Sequence, residues 1–260
     1  MIDKVVILAR GLGTRMRAED SNSKLDWQQN EIAKLGIKTL MPIIGEKTLL
    51  DFIFENLSRA GFSEFCLVIG QEHQAIRDFC QKLNYKISFA IQNEPHGTAD
   101  AVLAAEDFAG AELFLVVNSD NLYPVKSLAK IRNLNSPGLI AFAKQDLIKK
   151  SNISEEKINK FAVIKFDEND NLREIIEKPE KVEREAFISM NAWIFSPKIF
   201  SACRQIKPSS RGEYEIADAV KFTIENFGEK FKAFYSDEGV LDLSSRADIE
   251  KVKEKLAENE

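Results

Sequence analysis

Residues 4–15 read Lys-Val-Val-Ile-Leu-Ala-Arg-Gly-Leu-Gly-Thr-Arg, and this stretch decides the fold. Its first half is a run of apolar, largely β-branched residues, which is typical of a strand buried on both faces. Its second half contains Gly11 and Gly13, whose conformational freedom permits a tight turn directly after the strand. Because open α/β sheets bind ligands beyond the carboxyl ends of their strands, the stretch predicts a parallel sheet with a ligand-binding loop.

The segments after this loop alternate between short apolar runs and longer runs with helical periodicity. Helices are predicted at residues 49–60, 72–83 and 98–108, and strands at residues 4–9, 64–69, 85–91 and 113–117. This alternation predicts strands joined by crossover helices, which is an α/β fold with a mostly parallel sheet.

The pattern changes after Asp120. Strands are predicted at residues 138–143, 161–166, 172–176 and 186–195, with little helix before Pro197. The second half is therefore expected to be mixed and partly antiparallel. We expect the polar residues 149–159 to form a surface connection and the charged residues 247–260 to form an amphipathic helix. Since the sequence shows no internal repeat and no flexible linker, residues 1–260 are expected to form one domain.

The composition excludes several classes of protein. Of 260 residues, 44% are hydrophobic and 30% charged, which excludes a disordered or fibrous chain. The formal net charge of -5 argues against nucleic acid or an anionic membrane as a partner, and no segment is long and apolar enough to span a membrane. Cys66, Cys80 and Cys203 form no C-x-x-C pair, so we expect buried thiols in a cytoplasmic protein rather than disulfides or a zinc site.

The glycine loop alone leaves two interpretations open. Thr14 and Arg15 provide a hydroxyl group and a permanent cation for phosphate oxygens, but a sharp turn with an exposed arginine explains the loop equally well. A dinucleotide-binding loop requires a third glycine where Met16 stands. A nucleoside triphosphatase loop is also disfavoured, because residues 45–48 read Gly-Glu-Lys-Thr and Leu40 takes the place of its first glycine.

Six further motifs follow the loop in a fixed order. They are Lys-Thr-Leu-Met-Pro-Ile at 38–43, Gln-Asn-Glu-Pro-His-Gly-Thr-Ala-Asp-Ala-Val at 92–102, Asn-Ser-Asp-Asn at 118–121, Glu-Lys-Pro at 177–179, Arg-Gly-Glu-Tyr-Glu-Ile-Ala-Asp at 211–218 and Leu-Asp at 241–242. Together they resemble the sugar-1-phosphate nucleotidylyltransferase family over residues 5–252. The stretch at 207–213 is most similar to the short glucose-1-phosphate thymidylyltransferase type, which has no C-terminal β-helix.

This resemblance implies a fold and a reaction. The fold would be a Rossmann-like three-layer α/β/α nucleotidyltransferase fold with a mixed, mainly parallel central sheet. Residues 1–125 would bind the nucleotide and residues 126–260 the sugar phosphate. The reaction would transfer a nucleotidyl group from a nucleoside triphosphate to a sugar 1-phosphate, which gives a nucleotide sugar and pyrophosphate. Such chemistry depends mainly on positioning and charge neutralisation.

The resemblance also assigns roles to individual residues. Arg15 and Lys38 would be the catalytic cations on the triphosphate, and Asp120 and Asp242 would bind Mg²⁺, which suits carboxylates at strand ends. The sugar phosphate would be held by Glu177, Lys178, Asn191 and Arg211. The nucleotide would be bound by Leu8, Ala9, Gly11, Gly13, Thr14, Gln92, Gly97 and Thr98. Of these, Gln92 and Gly97 would contact the base, because glycine lets a ring approach the backbone.

The sequence departs from the family in four places. Arg10 occupies a position that is usually small, residues 20–29 belong to an insertion between Arg15 and Lys38, Ser119 replaces a glycine, and Val240 replaces a tryptophan. Arg15 and Arg17 therefore remain alternatives for the triphosphate arginine. Thymidylyl or uridylyl transfer is favoured, although residues 97–101 are also similar to adenylyl- and guanylyltransferases.

Two other functions remain as alternatives, and the oligomeric state stays open, with a homo-oligomer possible. A catalytically weak regulatory homologue would have lost a cation or a metal carboxylate. A dinucleotide-dependent oxidoreductase would need the third glycine and an acidic residue where Gly70 ends a strand. His96 is expected to be a loop residue rather than a ligand or a general base.

Overall fold

The computed structural model describes residues 1–20 and 23–258. Residues 21–22 of the inserted run and residues 259–260 of the predicted last helix lie outside the described residues.

The strands of the described chain are numbered in chain order. They are β1 Lys4–Leu8, β2 Pro42–Ile44, β3 Lys47–Thr48, β4 Glu64–Ile69, β5 Lys86–Ile91, β6 Phe114–Asn118, β7 Asn121–Leu122, β8 Gly138–Ala143, β9 Ala162–Phe166, β10 Leu172–Ile176, β11 Phe187–Phe195, β12 Lys232–Ser236 and β13 Leu241–Asp242.

The helices of the described chain are numbered in the same way. They are α1 Thr14–Arg17, α2 Trp27–Leu35, α3 Leu49–Arg59, α4 Gln74–Cys80, α5 Thr98–Ala104, α6 Glu106–Ala109, α7 Val125–Ile131, α8 Lys144–Lys150, α9 Lys198–Cys203, α10 Ile216–Phe227 and α11 Asp248–Ala257. Two 3₁₀ helices span Lys38–Leu40 and Glu155–Lys160.

A central sheet of nine strands organises the molecule. On one side β6, β1, β4 and β5 are parallel neighbours in that order. The long strand β11 pairs antiparallel with β8 along one edge and with β6 and β9 along the other. Strand β12 extends the sheet parallel to β8, and β10 pairs antiparallel with β9. Within the described sheet only β10 and β11 run against the other strands, so the sheet is mixed and mostly parallel.

Both faces of the sheet are covered, which explains the unbroken apolar run of β1. Val5 and Ile7 point into one core, which includes buried residues of α3 and α7, whereas Val6 points into the other core, beside α5, α9 and α10. A strand with helices on both faces has no side that must be polar. The expected three-layer α/β fold with a mixed, mainly parallel central sheet is confirmed.

The register of β1 determines where a site can form. Leu8, the last residue of β1, pairs with Val68 of β4 and with Asn118 of β6. The glycine loop, the turn after β4 and the segment after β6 therefore leave the same edge of the sheet. This edge is the carboxyl edge predicted to bind a ligand.

Several predicted elements need correction. Helix α7 precedes the predicted strands of the second half, and helix α8 lies between β8 and β9; neither was predicted, because each is only seven residues long and charged residues mask its few buried apolar side chains. The predicted helix at residues 98–108 is broken at Ala105 into α5 and α6. Residues 149–159 are not merely a surface connection, since Ser151, Ile153 and Ile158 are buried and a 3₁₀ helix begins at Glu155.

The insertion before Lys38 contains helix α2. Asp26 and Gln29 form a reciprocal capping box at its beginning, and Gly36 ends it with a left-handed conformation at φ 74°. These two signals were present in the sequence, but the helix they delimit has only one fully buried residue, Ala33. Its weak apolar stripe explains why periodicity did not reveal it.

The three cysteines are buried and unpaired, as expected. Burial raises the pKa of each of the thiols of Cys66, Cys80 and Cys203 to about 12, which keeps them in the unreactive protonated form. None of the helices within residues 1–20 and 23–258 is long and apolar enough to cross a membrane.

Candidate active site

A cleft of about 390 Å³ opens at the carboxyl edge of the sheet. Its walls are residues 8–15 after β1, residues 36–39 after α2, the loop after β5, and residues 118–120 after β6. It brings together eleven of the residues predicted from the sequence: Leu8, Ala9, Gly11, Gly13, Thr14, Arg15, Lys38, Gln92, Gly97, Thr98 and Asp120. Such a concave site with converging polar groups is the usual form of a ligand pocket.

The two glycines of the loop serve different purposes. Gly13 has φ 62°, and a Cβ atom there would overlap the carbonyl group of Gly36, so the loop and the end of α2 touch through their backbones. Gly11 has an ordinary φ and open space where a Cβ atom would stand. Glycine at residue 11 is therefore not needed for folding, which leaves close approach of a ligand to the backbone as its physical advantage.

Only one of the three arginines near the loop is free. Arg10 pairs with Glu72 at 2.8 Å and donates to the carbonyl oxygen of Gln92 at 3.2 Å. Arg17 donates to the carbonyl oxygen of Leu35 at 2.9 Å. Arg15 is exposed and has no hydrogen bond or ion pair with any described residue. Of the two alternatives, Arg15 and Arg17, Arg15 lines the cleft without a partner among the described residues. Arg10 points toward the turn after β4.

Lys38 and Asp120 form an ion pair inside the cleft. Their Nζ and Oδ2 atoms are 2.6 Å apart, and both side chains are largely shielded from water. Lys38 opens the 3₁₀ helix after α2, whereas Asp120 follows β6. The pair therefore joins the inserted segment to the edge of the sheet.

Asp242 lies behind Asp120 in a polar but enclosed position. Its carboxylate accepts hydrogen bonds from Asn121 at 3.0 Å and from Ser244 at 2.6 Å. Burial, followed by repulsion from Asp120, raises the pKa of Asp242 to about 6. Asp242 does not line the cleft itself, but Asp120 and Ser244 do.

These two aspartates fit a magnesium ion. Asp242 on β13 pairs in antiparallel register with Asn121 on β7, directly after Asp120, so the two carboxylates lie close enough to repel each other. Residues 1–20 and 23–258 contain no group of three or more His, Cys, Asp or Glu side chains that could bind a metal. Two hard oxygen ligands suit Mg²⁺, which keeps several waters and completes its shell with substrate phosphates.

The four residues predicted to bind the sugar phosphate do not line this cleft. Glu177 and Lys178 follow β10, and Arg211 lies before α10, where its guanidinium pairs with Glu215 at 2.5 Å. Lys178 is exposed and has no ion pair or hydrogen bond with any described residue. The Glu177 side chain reaches solvent, yet its enclosed surroundings raise its pKa by desolvation, and Glu215 adds repulsion.

Two of these residues have strained backbones. Lys178 has φ 42° and Asn191 has φ 57°, which lie in the left-handed backbone region that residues other than glycine rarely adopt. Asn191 lies where the pairing of β11 with β8 is irregular, and its Oδ1 atom accepts from the Trp193 indole at 3.3 Å. Strain of this kind tends to be found at functional sites.

A buried tyrosine links Asn191 to the aspartates. The Tyr123 hydroxyl donates to the carbonyl oxygen of Met190 at 2.5 Å and lies 3.5 Å from Oδ1 of Asn121. Asn121 in turn donates to Asp242. The predicted sugar side and the predicted metal side are thus fixed relative to each other through one core side chain.

The loop after β5 packs against the segment that precedes α10. Gly97 has φ 121°, and a Cβ atom there would come within 2.5 Å of the backbone of Tyr214, so this contact by itself requires glycine. The Thr98 hydroxyl accepts from the backbone N–H of Ile216 at 2.9 Å. These two residues therefore anchor the segment that carries Arg211.

The sequence did not reveal several residues of the site. Asn152 binds the backbone of Asp242 through two hydrogen bonds of 2.8 Å, although the two residues are ninety positions apart. His73 lines the cleft and accepts from the Gly70 N–H at 3.3 Å, and burial lowers its pKa. Local sequence signals do not report a long-range contact such as the one between Asn152 and Asp242. His96 is exposed in its loop, as expected.

A family model for nucleotidyl transferases matches residues 4–259. The chain belongs to the nucleotidyl transferase family. This confirms the family expected from the ordered motifs. The matched range runs from β1 to the end of the chain and so includes the cleft and both aspartates.

Two curated relatives of this nucleotidyl transferase come from Haloferax volcanii. A low-salt glycan biosynthesis nucleotidyltransferase of Haloferax volcanii is 29% identical over 86% of this chain and 57% of its own length. A UTP–glucose-1-phosphate uridylyltransferase of the same organism is 26% identical over 98% of this chain and 97% of its own. The chain thus spans little more than half of the first relative and nearly all of the second.

Solved structures show the same fold. A UDP-glucose pyrophosphorylase complexed with UDP-glucose matches with a TM-score of 0.77 and 21% identity over 100% of both chains. A Bacillus anthracis protein assigned as a glucose-1-phosphate thymidylyltransferase, solved in complex with sucrose, matches with a TM-score of 0.72 and 21% identity over 96% of this chain and 94% of its own. At this identity the likeness establishes the fold of the nucleotidyl transferase.

Proposed function

We propose that the protein transfers a nucleotidyl group from a nucleoside triphosphate to a sugar 1-phosphate, with release of pyrophosphate. The observation that carries the proposal is the convergence of Arg15, Lys38 and Asp120 in one cleft at the carboxyl edge of the sheet. Two cations beside a carboxylate that could bind a metal ion would neutralise the negative charge of a triphosphate. The names of the archaeal relatives agree with this reaction.

In the proposed reaction, an oxygen of the sugar 1-phosphate attacks the α-phosphorus of the triphosphate. A new P–O bond forms, and the bond from the α-phosphorus to the bridging oxygen breaks, so that pyrophosphate carries away the electron pair. No covalent bond to the protein is needed, and catalysis rests on alignment and charge neutralisation. Uncommitted Arg15 is placed to hold the β- and γ-phosphates, and Lys38 to reach the α-phosphate.

Asp120 and Asp242 would hold the Mg²⁺ ion in this scheme. The ion would supply positive charge to the phosphate oxygens. Asn121 and Ser244 hold the carboxylate of Asp242 in place by donating to its two oxygens.

The second half of the chain would bind the sugar phosphate. Lys178 has no partner among the described residues, so its charge is available to an incoming phosphate. Arg211 is already paired with Glu215 and is held in a defined position by that pair. Glu177 and Asn191 carry the carboxylate and amide groups that bind sugar hydroxyls. We assign the nucleotide to residues 1–125 and the sugar phosphate to residues 126–260.

The base is proposed to be uracil or thymine. The support is the similarity to the Haloferax volcanii uridylyltransferase, of which the match covers 97%, together with the likeness of residues 207–213 to thymidylyltransferases. The site offers the base a buried carboxamide, Gln92, at the end of β5.

A substrate panel tests the reaction. Pyrophosphate release is measured for several sugar 1-phosphates combined with UTP, dTTP, GTP, ATP and CTP, first with Mg²⁺ and then with a chelator. Release that requires both substrates and the metal supports the proposal and identifies base and sugar together. Binding of nucleotide sugars without any release would instead indicate a regulatory protein.

A further inference from the structure

The orientation of one carboxamide in the cleft is determined by its neighbours. Nε2 of Gln92 is 3.0 Å from the carbonyl oxygen of Gly97 and 2.7 Å from Oδ2 of Asp100. Both partners can only accept hydrogen bonds when Asp100 is ionised. Rotating the amide by half a turn would place three oxygens against one another, so the amino group must point to Gly97 and Asp100.

The other end of the same amide is then an acceptor with a fixed direction. Gln92 lines the cleft, and within the described chain no donor is bound to its Oε1 atom. The backbone of Gln92 is held as well, since its N–H donates to Ile69 at 3.0 Å and its carbonyl accepts from Arg10 at 3.2 Å. The carboxamide therefore has little freedom to adapt to a ligand.

The position of Asp100 favours this orientation of the Gln92 side-chain amide. It lies in the first turn of α5, where the helix dipole favours a negative charge. Its hydrogen bond with Gln92 is charge-assisted and therefore stronger than the bond to the neutral Gly97 carbonyl. A neutral side chain at residue 100 would weaken the preference for one amide orientation.

We infer that Asp100 is a positioning residue that fixes the Gln92 carbonyl toward the base and so selects bases with an imino N–H. Uracil and thymine carry this hydrogen on N3 and guanine carries it on N1, at the centre of the base edge. Cytosine and adenine present a lone pair at the same point, which an acceptor repels. The inference rests on the proposed function and deepens it, because it names the residue that sets the choice of base.

The test compares UTP with CTP in the wild type and in Asp100→Asn. The wild type is expected to prefer UTP over CTP by about 10–100-fold in kcat/KM, which is the usual discrimination when a side chain recognises a base edge through well-aligned hydrogen bonds. An asparagine at residue 100 can donate or accept, so Gln92 can turn, and the UTP:CTP ratio should fall about tenfold. Asp100→Glu keeps the carboxylate and should restore part of the ratio.

Asp107→Asn is the matched control, because Asp107 is exposed on the neighbouring helix α6, has no partner among the described residues and undergoes the same loss of charge. It should keep the wild-type ratio. Thermal melting checks that each variant folds. Calorimetry measures the affinities for UMP and CMP, and their ratio gives the preference for one base over the other without turnover.

The outcomes separate this inference from the reaction itself. Pyrophosphate release with a wild-type preference for CTP or ATP would overturn the inference and leave the proposed function standing. An equal loss for UTP and CTP in Asp100→Asn would also overturn it, since that is the signature of a purely structural role. If no triphosphate is turned over, the proposed function fails, and an unchanged UMP:CMP ratio in Asp100→Asn would refute the inference separately.

Discussion

Arg15 is the residue on which the proposed chemistry depends most directly. Because its guanidinium is uncommitted in the cleft, Arg15→Ala removes a contact to substrate without breaking one within the protein. Turnover should fall on the order of 10²–10³-fold, the usual cost of losing one preorganised charge contact, while the melting temperature stays unchanged. Arg59→Ala, at an exposed arginine on α3, serves as the control. Wild-type turnover in Arg15→Ala would remove Arg15 from the mechanism.

Asp242 shows a conflict between stability and function. Its pKa is raised from 3.8 to about 6 by burial and by Asp120, so the folded protein binds this proton more tightly than the unfolded chain does. Stability therefore falls as pH rises from about 4 to 6 and stays reduced above that range. Asp242→Asn removes the charge, and in a chelator at pH 7.5 it should raise the free energy of unfolding on the order of 1–3 kcal/mol.

Urea titrations at pH 4.5 and 7.5 measure this effect. The stabilisation by Asp242→Asn should be much smaller at pH 4.5, where wild-type Asp242 is protonated in the folded state. In the same variant, the response of turnover to added Mg²⁺ should be weakened. An equal stability of wild type and variant at pH 7.5, or an unchanged metal titration, would contradict the assigned position of Asp242.

At the scale of elements, the glycine loop offers a matched pair of substitutions. Gly13→Ala forces a side chain into a left-handed backbone and against the Gly36 carbonyl, so it should lower the melting temperature by several degrees. Gly11→Ala meets no protein atom and should fold like the wild type, yet raise KM for the triphosphate several-fold. Melting curves and steady-state kinetics on both variants separate the two roles. Normal KM in Gly11→Ala would show that no ligand approaches this glycine closely.

A single arginine ties three elements of the site together. Arg246, in the segment after β13, donates to the carbonyl oxygen of Met16 in α1 at 2.9 Å and reaches Asn30 of α2 at 3.4 Å. Arg246→Ala should loosen the end of α1 and raise KM for the triphosphate more than it lowers stability. Arg246→Lys keeps a cationic hydrogen-bond donor and should recover part of the loss. If both variants bind nucleotide like the wild type, α1 does not need this anchor.

A comparison of the predicted and observed elements shows which of them sequence patterns can predict. The strands at 64–69, 138–143 and 172–176 were predicted with their observed bounds, because a turn-forming residue adjoins each of them: Gly70, Pro137 and Asn171. Helices α7 and α8 were missed since short helices bury too few side chains to show periodicity. In the site, ordered motifs predicted the residues that line the cleft, whereas Asn152 and Arg246 act through contacts between distant segments that no local pattern encodes.

At the scale of the whole molecule, the proposed nucleotide half and the proposed sugar half share their packing. Strand β11 from the second half pairs directly with β6 from the first, and each of the two cores contains residues from both halves. Neither half can therefore bury its apolar residues alone. The two halves are expected to differ in ligand rather than in folding.

Equilibrium unfolding tests this shared packing. Trp193 is 1% exposed in the second half, whereas Trp27 is 79% exposed, so tryptophan fluorescence reports mainly the loss of structure around Trp193. Circular dichroism reports the helices of both halves. Urea unfolding should give one transition with the same midpoint by both probes, as a cooperative unit requires. A second transition visible only by circular dichroism would mean that the first half unfolds separately, and that the division at residues 125–126 is a boundary between folding units as well as between ligands.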